Sequence, residues 1–280
     1  MTSPKHAVAT ESGRFYNSLP GFEHLSLGSV TNIVGIKSKP ALTGWAAKLA
    51  GERAISREDE WHAIQQEEGD EVARKWISAA SRDEMDYKSA VGSAVHLACE
   101  LLDTDVTPGG FTEGLVTRLD GVLAKHGGAN AKNIENVWNH VTTYQRFIAE
   151  WGVRFVEQER TVFHPDDGWA GTLDAVVDIP DEQGALRRYV MDIKTGSVFA
   201  DSNALQLAAY RHAAYAVHGN ASKPFNHQIH GGFVLQLKPK SYKVHFMRCD
   251  DTVYRVFIAA RDLWRWAYDE SKNASGDGWR

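Results

Sequence analysis

The run Met191-Asp192-Ile193-Lys194-Thr195-Gly196 sets a carboxylate and an ammonium two residues apart, at what reads as the end of a β-strand. Alternate side chains of a strand share a face, so Asp192 and Lys194 point one way while Met191 and Ile193 point into the core. The Thr-Gly that follows makes an edge where a ligand can approach. One strand earlier, Gly171-Thr172-Leu173-Asp174 carries a second carboxylate. If the two strands pair as a hairpin through Pro180-Asp181-Glu182-Gln183-Gly184, Asp174 and Asp192 can converge on one cation. Hard oxygen ligands of this kind suit Mg²⁺ or Mn²⁺. Taken alone, an Asp-x-Lys pair is in most proteins a solvated ion pair.

Other residues keep this pair company. Upstream, Gly92, His96 and Glu100 recur every four residues and so form one stripe of a helix. Glycine there allows close helix approach, and His96 could reach a metal held on the sheet. A lone helical histidine is otherwise more often a structural hydrogen-bonder. Glu159 on an earlier strand is a third candidate acid, and Glu157, two residues before it on the same strand face, competes for that role. Downstream, Gln206 and Tyr210 stand one helical turn apart, beyond the loop that follows Lys194; on their own they are one face of an ordinary amphipathic helix.

The elements that must position these residues can be read from periodicity. Residues 1–28 are polar and mixed and read as a loosely held lead-in; Ser29–Ile36 is short and β-branched. Helical spacing follows over Ala41–Glu60, Asp70–Ser81 and Tyr87–Leu102. Asp103–Gly114 is rich in turn residues, and two more helices are expected near Phe111–His126 and Asn133–Trp151. The texture then changes to strands at Val153–Phe163, Trp169–Asp178 and Arg187–Ile193. A helix over Ser202–Val217 has N-cap candidates in Asp201, Ser202 and Asn203. Gly231–Lys238 and Tyr242–Met247 read as a hairpin, Asp251–Tyr268 as a last amphipathic helix, and 271–280 as a frayed tail. This order predicts one continuous α/β domain, with a helical part over 29–150 that contributes His96 and a core over 151–270.

In order, Gly-x-x-x-His-x-x-x-Glu, Glu159, Gly-Thr-Leu-Asp, Asp-Ile-Lys-Thr-Gly and Gln-Leu-Ala-Ala-Tyr resemble the RecB-like exonuclease pattern of the PD-(D/E)XK superfamily. The stretches ERTVFHPDDGWAGTLD and SVTNIVG…KPALTGWA are similar to phage-encoded and CRISPR-associated-type exonucleases, and the likeness runs from about Ser29 to His245. It implies a mixed central sheet flanked by helices and hydrolysis of DNA from its ends. It further implies His96, Asp174, Asp192 and the Ile193 carbonyl as metal ligands, with Glu159 as the first-strand acid, direct or through water. Lys194 would orient water and phosphate, and Gln206 and Tyr210 would position the nucleic-acid strand. A setting in phage or bacterial recombination, replication or repair, with a recombination or replication protein as a possible partner, is implied by the resemblance only. CRISPR-associated members often carry four cysteines around an iron–sulfur cluster; with only Cys99 and Cys249, this chain cannot hold one.

Composition narrows the rest. The two cysteines suit a reducing cytoplasm, which would be the host cytoplasm for a phage protein. No apolar run could span a bilayer, and no P-loop signals ATP use. A net charge of −5 argues against a passive coat of DNA but permits a local basic groove. Candidates to line it are Lys39, Trp45 and Lys48, and Lys238, Lys240, Tyr242 and Lys243, since basic residues among aromatics suit single-stranded DNA. Each stretch fits equally well a solvated turn or a core aromatic. Two other functions fit the same residues: a catalytically silent DNA-binding module and a structure-specific endonuclease.

Overall fold

The computed structural model describes residues 6–10, 13–37, 40–268 and 270–274. It is an α/β fold with a mixed central sheet, helices on both faces and a helical region before the main strands. Strands β1 (Ala7–Thr10), β2 (Gly13–Tyr16) and β3 (Leu27–Ser29) lead into a short α1 (Val30–Gly35). The helices α2 (Pro40–Ser56), α3 (Glu58–Glu68), α4 (Asp70–Ser78) and α5 (Ala80–Glu100) follow. A one-turn α6 (Leu102–Asp105) and a small hairpin, β4 (Val106–Thr107) with β5 (Gly110–Phe111), connect to α7 (Glu113–Leu123) and α8 (Ala131–Trp151). The sheet proper comes from β6 (Arg154–His164), β7 (Trp169–Pro180) and β8 (Leu186–Lys194). After α9 (Ala200–Arg211) it continues with β9 (Tyr215–His218), β10 (Ala221–Pro224), β11 (Gly231–Lys238) and β12 (Ser241–Met247), and α10 (Asp251–Tyr268) closes the fold.

The residues expected as strands alternate as strands must. Ala175, Val177, Met191 and Ile193 face a core shared with α5, α7 and α8. Val176 and Val190 face the opposite core, under α1, α9 and α10. Both faces of the central strands are therefore dry, as the near-continuous apolar runs require.

Two expectations are corrected here. Part of the 1–28 stretch is no loose lead-in: β1, β2 and β3 pair in sequence, and β3 lies parallel to the start of β7 at Gly28↔Trp169. Tyr16, Leu19 and Leu27 supply apolar anchors to a third core at that edge. The helix expected over Ser202–Val217 stops at Arg211, and Tyr215–His218 pairs with β6 and β10 instead. Alanine-rich sequence carried the helical reading too far, where sheet pairing overrides local propensity. At its start, Asn203 Oδ1 accepts from the N–H of the N-cap residue Phe199 at 3.0 Å.

One feature of the sheet creates the site. Along one edge β7 pairs with β6 between Trp169 and Asp178, with no rung at Asp174; along the other it is shared, with β3 at Trp169 and Ala170 and β8 from Ala175 onwards. Between these ladders, Gly171–Asp174 has no strand partner on that edge. The β7–β8 ladder ends at Ala175↔Met191, and beyond it Asp192–Lys194 continues against β11. The sheet forks where the acids lie.

Candidate active site

Asp174 fills the fork with its side chain. Its Oδ2 accepts the Ile193 N–H at 2.6 Å, in place of the missing backbone rung. From α5, His96 reaches down to the same point. It donates through Nε2 to the Ile193 carbonyl at 3.0 Å, while its Nδ1 stands 3.7 Å from Asp174 Oδ1 and 3.9 Å from Glu159 Oε1. Gly92, one turn earlier on α5, makes this approach possible. A Cβ there would stand 3.3 Å from Thr195 Oγ1. His96, Glu159 and Asp174 each offer a ligand atom within 4.8 Å of the others, the one such trio among the described residues.

Asp192 is placed differently. It is 2% exposed and stands outside that trio, with the Lys194 ammonium 2.7 Å from both carboxylate oxygens and Gln206 Nε2 donating to Oδ1 at 2.9 Å. Oδ2 is shut off from solvent and is held by that ammonium. A carboxylate buried this deeply is costly unless paired, and the Lys194 ammonium and the Gln206 amide supply that pairing.

Glu159 and Glu157, two residues apart, have different surroundings. Glu157 is taken up by Arg160 at 2.8 Å and by His218 and His227, each at 3.6 Å. Glu159 faces the cleft. The backbone separates them: Glu159 has φ +44°, which breaks the alternation of β6.

The electrostatics follow from crowding of acids. Burial works against an imidazolium at His96, but Asp174 and Glu159 outweigh it and push its pKa up to about 9. Burial, helped by Asp174, pushes Glu159 up to about 7 although His96 opposes it. Lys194 is raised as well: burial would lower it, and the facing Asp192 and Asp174 overcome that, so the amine stays charged.

These groups open onto a cleft of about 410 Å³ lined by His96, Glu100, Glu159, Asp174, Ile193 and Lys194 among others. Arg14 from β2 and Lys88 from α5 add positive charge to its wall. Neither was expected. Arg14 sits in the stretch read as a lead-in, and Lys88 shows no spacing that separates it from a solvated helical lysine. Gln206 and Tyr210 do not line the cleft. Gln206 holds Asp192 from behind, and Tyr210, 3% exposed, packs where a Cβ on Gly171 would be 2.7 Å from its Cε1.

The remaining candidates scatter. Lys39 lies outside the described residues. Trp45 is half-buried with the Lys88 ammonium 5.5 Å above its ring, and Lys48 pairs with Glu52 on an exposed helix surface. Tyr242 is held on the flank of the fold by Trp151 and Glu150, with Arg146 over its ring. Lys240 and Lys243 are exposed near it, while Lys238, also exposed and outside the cleft lining, donates to the Thr195 carbonyl at 3.4 Å.

The donor set fits a divalent cation. An imidazole, two clustered carboxylates and a nearby backbone carbonyl are hard or borderline ligands of the kind Mg²⁺ and Mn²⁺ take.

No family model matches the chain, and no curated protein does. Among solved structures, the crystal structure of LHK-Exo in complex with dAMP aligns at 12% identity and a TM-score of 0.32, covering 67% of this chain and 93% of that one. A likeness that distant identifies neither a family nor an activity. Among the described residues, no helix is long and apolar enough to cross a membrane.

Proposed function

We propose that this chain is a divalent-metal-dependent deoxyribonuclease of the RecB-like PD-(D/E)XK type, digesting DNA from its ends. The observation that carries this reading is the convergence of one helix and three strands on a single open cleft, bringing His96, Glu159, Asp174 and Lys194 together. These residues appear in the sequence in the order that the resemblance requires.

A bound Mg²⁺ or Mn²⁺ would neutralise the phosphodiester and lower the pKa of a coordinated water. His96, Glu159 and Asp174 would hold it, with Asp192 and the Ile193 carbonyl nearby. Lys194 stays protonated against Asp192 and presents its ammonium to the water and the phosphoryl oxygens, where negative charge builds. Gln206 fixes Asp192, which in turn fixes Lys194. Arg14 and Lys88 attract the polyanion in a chain that is acidic overall. An imidazole among the ligands favours Mn²⁺ more than an all-oxygen set would. The setting we propose is DNA recombination, replication or repair in a phage or bacterium.

End-labelled single- and double-stranded DNA incubated with Mg²⁺, Mn²⁺ or EDTA tests this. Labelled ends should be lost with either cation and kept with EDTA, and a circular single strand should survive. Asp192→Asn and Lys194→Ala should each lower the rate by about a hundred- to a thousandfold while circular dichroism stays unchanged. Full activity of both variants would overturn the assignment, and cutting of the circle would make the chain an endonuclease.

A further inference from the structure

The last helix, α10, is apolar on two sides. Val253, Phe257 and Trp264 turn inward to the core that α10 shares with α1 and α9. A second stripe, Thr252, Val256, Ala259, Leu263 and Trp266, faces solvent, and each of its residues is exposed. Val256, Leu263 and Trp266 keep 55%, 56% and 50% of their surface in water. The steps between these residues alternate between four and three, the heptad spacing that keeps them on one line along a helix. Single exposed apolar residues are ordinary, but a continuous stripe marks a surface that another surface covers.

The charges beside the stripe say what covers it. Along its outer flank Arg255, Asp262 and Arg265 alternate in sign. A polyanion or an anionic lipid surface calls for basic residues unmixed with acids. Arg255 donates to the Thr252 hydroxyl at 3.3 Å and pairs with no carboxylate among the described residues. Asp262 meets Arg261 at 2.8 Å and, at 64% exposure, has room for a second donor. Arg255 and Asp262 stand one heptad apart on the same side of the stripe, whereas the other flank carries Ala260 and Ala267. A parallel copy of the helix would set both charges against those alanines. An antiparallel copy sets Arg255 of each helix against Asp262 of the other, with Val256 opposite Ala259 and Leu263 opposite Thr252. The small Ala259 side chain lets the two helices approach closely.

We propose that α10 is a self-association surface, pairing antiparallel with α10 of a second copy of this chain about a two-fold axis. The two stripes bury against each other with the helix axes about 20° apart, as heptad packing dictates. Reciprocal Arg255–Asp262 ion pairs set the direction and the register rather than the bulk of the affinity. Among the described residues, none of α10 lines the cleft, so pairing leaves the cleft walls of both copies as they are. The surface stands independently of the nuclease reading.

Sedimentation velocity of the full chain over a dilution series tests this. A mass of two chains is expected at high concentration, falling to one on dilution. Val256→Asp and Leu263→Asp should each weaken pairing by about ten-fold or more, because a two-fold interface buries every introduced charge twice. Arg255→Asp sets like charges against each other and should weaken pairing by a similar factor, and adding Asp262→Arg should restore it. These positions are exposed in the single chain, so circular dichroism of every variant should stay unchanged. A chain that is monomeric at every concentration overturns the proposal, whether its stripe then binds anionic lipid vesicles or nothing. A dimer that both Val256→Asp and Leu263→Asp leave intact overturns it as well. Failure of the double charge reversal to restore pairing overturns the antiparallel arrangement.

Discussion

Glu159 sits at φ +44°, a conformation that strains an L residue by about 1–2 kcal/mol and glycine hardly at all. Replacing it with glycine or alanine removes the same carboxylate but treats the backbone differently. Glu159→Gly should therefore be more stable than Glu159→Ala by about 1 kcal/mol in urea unfolding, with both equally weakened in metal affinity. Equal stabilities would mean that the left-handed turn of β6 relaxes without the acid. The same residue shows the limit of reading the sequence. On a regular strand, Glu157 and Glu159 are interchangeable by parity; one dihedral angle, which no spacing reveals, hands the first to Arg160 and the second to the cleft.

Protons make a second residue-scale prediction. With His96 raised to about 9 and Glu159 to about 7, the metal-free site holds protons at neutral pH. A cation must displace them, since an imidazole and a carboxylate bind metal only when deprotonated. Apparent metal affinity should thus climb as pH rises from about 6 to about 9 and level off above. Calorimetry of Mn²⁺ binding at pH 7 in buffers of different ionisation enthalpy should reveal roughly one to two protons released per ion, nearly all of the His96 proton and about half of the Glu159 one. No dependence on buffer would contradict the raised pKa values.

At the scale of elements, the fork between β3 and β8 is what turns a sheet edge into a site, and Gly171 is a tight point in it. A Cβ there would meet the Tyr210 ring at 2.7 Å. Gly171→Ala should destabilise the fold by about 1–3 kcal/mol through overpacking. Pairing it with Tyr210→Leu should recover part of that loss in chemical denaturation. The β7–β8 hairpin was readable because its turn is marked by Pro, Asp and Gly and its strands alternate. That reading placed Asp174 opposite Asp192, one step past the last rung. What alternation could not convey is that Asp192 turns to Lys194 and Gln206 while Glu159 takes its place beside Asp174. The convergence depends on where ladders end, which is a property of several strands at once.

For the molecule as a whole, the amino-terminal strands couple fold and cleft. Tyr16 is buried and hydrogen-bonded to Thr172 at 3.0 Å, two residues before Asp174, while Arg14 on the same strand lines the cleft. Deleting residues 1–18 should cost about 3 kcal/mol or more, since each fully buried large side chain contributes about 1.5–3 kcal/mol. It should also weaken DNA binding more at low salt than at high salt. Unchanged urea midpoint and affinity would show that β1 and β2 are dispensable. Nothing in the polar, mixed composition of that stretch announced a sheet edge: its strands are short and their partners lie far along the chain.

The Ile193 N–H that ends on Asp174 has a further consequence. At that stitch the same carboxyl group serves the seam of the sheet and the proposed chemistry, so an alanine at position 174 removes both together. Asparagine keeps a carbonyl oxygen for the amide while giving up the charge. Comparing the two replacements would separate what Asp174 does as mortar from what it does as a ligand.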